Sequence, residues 1–372
     1  MMPIFLNAVQ CDLSEADSLN ILVIKPSSMG DVIHALPAVH LLRHQFPDAH
    51  ITWVVNDSYA ELVERSPDVD EVVLFRRKRW SKPRYWPELI SMMRDLRHKK
   101  YDVAIDFQGL LRSSLIALFT GAPKRIGFRH AREGASVFYT EKILLPANIN
   151  HALEKNAFLV RSAFNISTPL EMPELVSYPR AEKTAKSLLE DGEENGLADA
   201  VLAVAPVSRW ASKTWPPEFF AGIIGAVADR SPGTRIWLVG TQEERSLGEK
   251  ISELCTSGVV LNLMGQANFG ILIELLRKSN VILTNDSGPM HLAAALGVPV
   301  VALFGPTAPE LTGPYGEGHK VFCGVCSKGP CFMRECPFEA PACWKSVDRV
   351  EVTDTVIDYL RENNKNERAE NT

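Results

Sequence analysis

Short runs in which nearly every residue is apolar alternate along this chain with longer stretches in which apolar residues recur every three or four positions. The first run, Asn20 to Lys25 (NILVIK), is rich in β-branched residues and reads as a strand. Pro26, Ser27, Ser28 and Gly30 break it before a helical pattern that begins at Val32 and sets Val32, Leu36, Val39, Leu42 and Phe46 on one face; Pro47 and Asp48 end that helix. The same periodicities predict strands over 50–55, 71–75 and 101–107, a helical turn over 61–65, and helices over 86–99, 110–119 and 151–164. A proline-bearing segment, 167–179, interrupts the pattern, which then restarts. Strands are expected over 200–205, 235–239, 259–263, 281–284 and 299–304, the last clear one, with helices over 216–229, 242–254, 269–277, 287–296 and 353–361.

Fully apolar strands alternating with helices imply parallel sheets covered on both faces, an α/β architecture of two doubly wound units with a cleft between them. The boundaries that follow are a tail at 1–19, an N-terminal Rossmann-like domain at 20–166, a linker at 167–180, a second Rossmann-like domain at 181–350, and a final helix with a polar, frayed tail at 351–372.

Length supports two cores, because 372 residues exceed what one core usually serves. A net charge of -5 argues against a general nucleic-acid binder, so any basic site must be local. The opening MMPIFLNAVQC lacks a basic leader and is too short to span a bilayer, from which a cytoplasmic location is expected. Of seven cysteines, Cys323, Cys326, Cys331, Cys336 and Cys343 crowd into one segment. Their spacing suits a structural zinc or iron–sulfur cluster about as well as unligated thiols, with disulfides last in a cytosolic chain.

Turns at the carboxyl ends of strands form the ligand crevices of open α/β sheets, and the turn 26–31 delivers Asp31 into one. It has one glycine, so it is neither a G-x-G-x-x-G fingerprint nor a P-loop, which disfavours a Rossmann dehydrogenase. On local sequence alone an N-cap is the commoner role for an Asp directly before a helix; a catalytic base is the alternative. The second half adds weight to the base. Thr284 to His291 (TNDSGPMH) puts Ser287 and Gly288 at a helix N-terminus suited to phosphate, while Asp286 is suited to capping or to accepting from hydroxyls and amides. Phe304-Gly305-Pro306-Thr307 is a similar turn, and Ser208 to Trp215 (SRWASKTW) carries Arg209 and Lys213 to the same edge. Three such loops at one sheet edge are what a nucleotide-sugar site requires.

Asp68-Val69-Asp70 reads as a polar turn rather than a metal-binding Asp-x-Asp. The segment 76–84 holds Arg76, Arg77, Lys78, Arg79, Lys82 and Arg84 beside Trp80, Tyr85 and Trp86. A solvated loop is the plain reading; binding of an acceptor bearing phosphates and carboxylates is the functional one, and tryptophans suit a membrane interface.

From about Asn20 to Tyr315 the motifs SSMGDVIHALPA, IDFQGLLRSS, the ARE of Ala131 to Glu133, SKTWPPEFF and TNDSGPMHLAAALGVPVVALFGPT resemble, in order, glycosyltransferase family 9, the ADP-heptose:lipopolysaccharide heptosyltransferases. The SSMGD, ARE and SKTWP segments look most like the heptosyltransferase I branch, which adds the first heptose to Kdo on lipid A. The resemblance implies the GT-B fold, two Rossmann-like domains facing across a cleft, and an inverting enzyme that needs no metal or other cofactor for catalysis. It implies Asp31 as the base acting on the acceptor hydroxyl, Lys213 as neutraliser of the donor phosphates, and Asp286, Ser287, Gly288 and His291 as the donor loop. Ser208 and Arg209 fall near the phosphates. Gln242 is the strict match for the ribose-holding position, with Glu243 the adjacent acid. Acceptor contacts are assigned to Ser28, Gly30, Arg76, Arg77 and Arg79. The implied partners are ADP-heptose and a lipid A/Kdo glycolipid, met at the cytoplasmic face of the inner membrane. A family member with another acceptor or nucleotide sugar is the nearest rival, and a non-catalytic metal-binding protein on this scaffold is the rival of another class.

Overall fold

A computed structural model describes residues 19–190, 200–255, 260–338 and 342–370, with side chains to 362; the expected tail before residue 19 lies outside the described residues, as does the start of the strand predicted at 259. Among the described residues twelve strands form two parallel six-stranded sheets. The first contains β1 (Asn20–Ile24), β2 (His50–Val55), β3 (Glu71–Leu74), β4 (Val103–Asp106), β5 (Lys124–Phe128) and β6 (Glu141–Ile143) in the order β3-β2-β1-β4-β5-β6. The second contains β7 (Ala200–Ala205), β8 (Thr234–Leu238), β9 (Val260–Asn262), β10 (Val281–Asn285), β11 (Val300–Phe304) and β12 (Lys320–Cys323) in the order β12-β11-β10-β7-β8-β9. Counted from its own first strand, each sheet has the same 3-2-1-4-5-6 winding up to direction of reading, and the expected pair of doubly wound units is present.

The apolar runs are continuous because the central strands are covered on both faces. Ile21 and Val23 join Leu36, Val39, Leu42 and Leu159 on one face of the first sheet, whereas Leu22 and Ile24 join Met92, Leu96 and Ile116 on the other. In the second sheet Leu202 and Val204 pack with Phe220, Ile224 and Val356, and Ala203 and Ala205 face Ile273 and Met290. The core containing Ile21 and the core containing Ala203 are one continuous cluster that crosses from lobe to lobe.

Several predicted boundaries are corrected. The helix expected from Val32 starts earlier, at Met29, and is two helices, Met29–Ile33 and Leu36–Gln45. Pro37 is the reason: it has no N–H to donate back to Ile33, so it ends one helix and enters the first turn of the next, where that donor is dispensable. β5, β6 and β12 were not predicted; KRIGF, EKI and KVFC are short, carry charge, and lie at or next to sheet edges, so they show no apolar run. The final helix runs Arg349–Glu370, through the segment expected to be frayed.

Candidate active site

Where strand order reverses, the loops leaving the two central strands diverge and open a crevice. In the first sheet this happens between β1 and β4, where Ile24 pairs with Asp106. In the second it happens between β7 and β10, where Thr284 pairs with Ala205. Four loops therefore meet: 25–31, 107–110, 206–216 and 285–288.

In the first crevice Ser28 is the helix N-cap and Asp31 sits three residues on, so the N-cap reading of Asp31 is corrected. The Ser28 amide (2.9 Å) and hydroxyl (2.7 Å) both donate to Asp31 Oδ2, leaving Oδ1 on the side of Lys25 Nζ, 3.8 Å away. Lys25 is buried and donates to the Phe107 carbonyl at 3.2 Å. Loss of water pushes the Asp31 pKa up, but Lys25, the two Ser28 hydrogen bonds and His291 outweigh that and hold the carboxyl below its usual value. Its side chain is still 41% exposed, so the ionised group is accessible. Beneath it, buried Asp106 accepts from the Gln108 and Gly109 amides, the Ser113 hydroxyl and Tyr139, which fixes the neighbouring loop; burial outweighs these bonds and raises its pKa.

In the second crevice Asp286 is the hub. It does not cap the following helix, whose N-cap is Ser287; instead Oδ2 accepts from Lys213 Nζ and Thr307 Oγ1, each at 2.5 Å. Ser208 Oγ donates to the Asp286 carbonyl at 2.8 Å, and Thr284 and Ser287 hydroxyls lie 3.1 Å apart. Lys213 also sits 4.5 Å over the Trp210 ring.

The two crevices face each other. Gly30 lies against the His291 ring and Gly288 against Met29, each so closely that a Cβ would overlap its neighbour. His34 meets His291 edge-on with ring centroids 4.4 Å apart, and His151 at 5.1 Å. Arg209 donates to the Tyr59 hydroxyl of the first lobe at 2.8 Å, and Glu61 accepts from the Gly270 amide of the second at 3.1 Å. Burial lowers the His291 pKa to about 4 against the opposing pull of Asp286 and Asp31.

A family model described as glycosyltransferase family 9 (heptosyltransferase) matches residues 89–341, more than half of the chain. The chain belongs to glycosyltransferase family 9. This transferase is 28% identical over 334 residues to lipopolysaccharide heptosyltransferase 1 of Pseudomonas aeruginosa, covering 86% of the chain and 88% of that relative. It is equally 28% identical over 313 residues to lipopolysaccharide heptosyltransferase 2 of Escherichia coli, covering 82% and 87%. The E. coli heptosyltransferase WaaC, solved with ADP, superposes with a TM-score of 0.72 at 25% identity, covering 92% of the chain and all of that structure. The GT-B expectation is met.

Other predicted residues of the family 9 chain fall outside this centre. Gln242 and Glu243 are exposed at the start of the segment after β8, where Glu244, not Glu243, accepts the Thr241 amide. The Glu243 carboxyl is lowered chiefly by its own backbone amide, then by Thr241, with a smaller pull from Lys78 of the first lobe. Arg76 and Arg77 are exposed, while Arg79 is held by three hydrogen bonds to Glu88 and stacks on Tyr85. Glu133, in a left-handed conformation, accepts the Leu111 amide at the start of helix Leu111–Thr120. Asp68 and Asp70 pair with His40 and Arg43, as a structural turn does.

The cysteine expectation needs correction. Cys326, Cys331, Cys336 and Cys343 line a cavity of about 30 Å³ behind Ser212 and Gly305, and Cys323 is exposed at the end of β12. Among the described residues, however, no three His, Cys, Asp or Glu side chains are spaced to hold a metal ion, so the zinc or iron–sulfur reading is not supported. The residues that sequence reasoning missed are Lys25, His34, His151 and Asp106. Lys25 carried a signal, a cation ending an otherwise apolar strand.

Proposed function

We propose that the protein is an inverting heptosyltransferase of the lipopolysaccharide core that takes heptose from ADP-heptose. The observation that supports this reading is the contact of Gly30, the neighbour of Asp31, with the His291 ring of the lobe that holds the Lys213–Asp286 pair. Asp31 accepts the proton of the acceptor hydroxyl as that oxygen bonds the anomeric carbon. The bond from that carbon to the diphosphate oxygen breaks with its electron pair, and ADP leaves from the opposite face. Because Asp31 is a weak base, proton transfer is late and concerted with bond formation. Lys213, the N-terminal amides at Ser287 and Gly288, Ser208 and Arg209 take up the charge developing on the diphosphate, a role that calls for no metal. Gln242 or Glu243 holds the ribose. Ser28 and Gly30 border the acceptor hydroxyl, and Arg76 and Arg77 grip acceptor phosphates and carboxylates, with Arg79 beside them paired to Glu88. The acceptor is the Kdo or inner-core region of a lipid A glycolipid, reached by peripheral attachment to the cytoplasmic face of the inner membrane.

The test is incubation with ADP-heptose and Kdo–lipid A, with and without a chelator, read by mass spectrometry. Addition of one heptose under both conditions is the expected result. Transfer only to an already heptosylated core moves the acceptor one step outward, and chelator-sensitive transfer refutes the metal-free step.

A further inference from the structure

Residues 76–90 form an elbow at the outer carboxyl edge of the first sheet: helix Arg77–Trp80, a turn at Pro83–Tyr85, and the start of helix Trp86–His98. Trp80 is buried against Phe75 and packs into the core with Met92 and Leu96, so the elbow is anchored from beneath. Its outer side is unusual. Trp86 and Ile90, one helical turn apart, are 55% and 57% exposed. Around them stand exposed Arg76, Arg77, Lys78, Arg79, Lys82 and Arg84, with Glu88 the only acid between 76 and 90. The whole chain carries a net charge of -5, so this concentration of cations is local. Arg79 and Arg84 both lie over the Tyr85 ring, and Arg79 ties Tyr85 to Glu88, which makes the surface ordered rather than a solvated loop.

We infer that this elbow is a membrane-docking element that sets Trp86 and Ile90 among the headgroups of an anionic bilayer while the surrounding cations meet lipid phosphates. The inference rests on the proposed glycolipid acceptor for its purpose, though not for its geometry. Two exposed apolar side chains give weak insertion alone, and basic residues give weak, salt-screened attraction alone; together they match the two-signal requirement for stable peripheral binding. A tryptophan at such a rim is chemically suited to the headgroup layer, having an apolar body and a polar N–H. No described helix is long and apolar enough to cross a membrane, so attachment by this elbow is interfacial.

The experiment is co-sedimentation of the full chain with vesicles of phosphatidylglycerol and phosphatidylethanolamine, and with phosphatidylcholine vesicles, without any acceptor. The wild type should bind the anionic vesicles, bind phosphatidylcholine weakly, and be released by salt. Trp86→Ser with Ile90→Ser should weaken anionic binding about tenfold. The same double variant should transfer sugar at the wild-type rate to a deacylated, water-soluble acceptor. Equal vesicle binding by variant and wild type, or self-association through this face with no vesicle binding, overturns the inference. Absence of transfer by wild type to any acceptor overturns the proposed activity and leaves the vesicle result to decide docking by itself.

Discussion

Gly30 and His291, from opposite lobes, are in van der Waals contact at the one point where a β-carbon on the former has no room. His291 is buried and also packed against His34, so its ring has little freedom to retreat. The contact sets how closely Asp31, the next residue, approaches the loop 285–288 of the second lobe. Gly30→Ala should therefore separate the lobes and lower kcat about tenfold or more, since small displacements of reacting groups are costly. Isolated overpacking should also reduce stability by about 1–3 kcal/mol. Steady-state kinetics and urea unfolding of the variant check both.

Lys213 and Asp286 form a largely buried pair, with side-chain exposures of 15% and 5%. Removing one partner strands the other, at a cost of about 3–5 kcal/mol for fully buried pairs and less here because Lys213 is partly wet. Lys213→Met should lose stability and most affinity for ADP. Asp286→Asn, which keeps an acceptor for Thr307, should lose stability but retain more ADP binding. Calorimetric titration with ADP separates the two.

Acidification should destabilise the lobe boundary. Burial holds the His291 pKa at about 4 against the pull of Asp286 and Asp31, with His151 and Lys213 adding to the depression. Burial, His291, His151 and Lys25 together put His34 well below its ordinary value, and burial also lowers His151 despite Gly313 and Glu154. These rings stay neutral in the fold while an unfolded histidine protonates near 6.5. The unfolded chain then binds more protons below about pH 6.5, so stability is full above that pH and falls as pH drops towards 4. The slope is about 1.4 kcal/mol per pH unit for each such histidine. Unfolding free energies at about pH 7.5 and about pH 5 test this, and His34→Leu should flatten the difference.

Arg76 and Arg77 are available to an acceptor, whereas Arg79 is committed to Glu88. Neutralising Arg76 and Arg77 should raise the acceptor KM several-fold with the donor KM unchanged, consistent with charge-assisted bonds of about 1.5–3 kcal/mol each when well ordered. Arg79→Gln should have a smaller direct effect. Equal acceptor kinetics in all three variants refute acceptor binding by this segment.

The doubly wound plan was legible because its central strands are apolar throughout, whereas β5, β6 and β12 were not, because they are short and carry charge. Asp31, Lys213 and Asp286 were legible because each sits in a turn that breaks an apolar strand. Their pairings were not: Asp286 reads from sequence as a cap or as an acceptor from hydroxyls and amides, and only the three-dimensional approach of Lys213 and Thr307 makes it an ion-pair hub. His34 was hidden because a histidine at the end of an apolar helix reads as core, and its neighbours His151 and His291 are distant in sequence. The cysteine spacing left a metal cluster and unligated thiols equally open, and among the described residues proximity in sequence did not produce a ligand set.

The central claim is that the Asp31 carboxylate takes the acceptor proton. Asp31→Asn keeps an oxygen for the Ser28 amide and hydroxyl, so the helix start should survive, and only the base is lost. The account predicts a fall in kcat of about 10²–10⁴-fold with ADP affinity within about twofold of wild type. A variant that folds, binds ADP and still transfers heptose at more than about a tenth of the wild-type rate contradicts it.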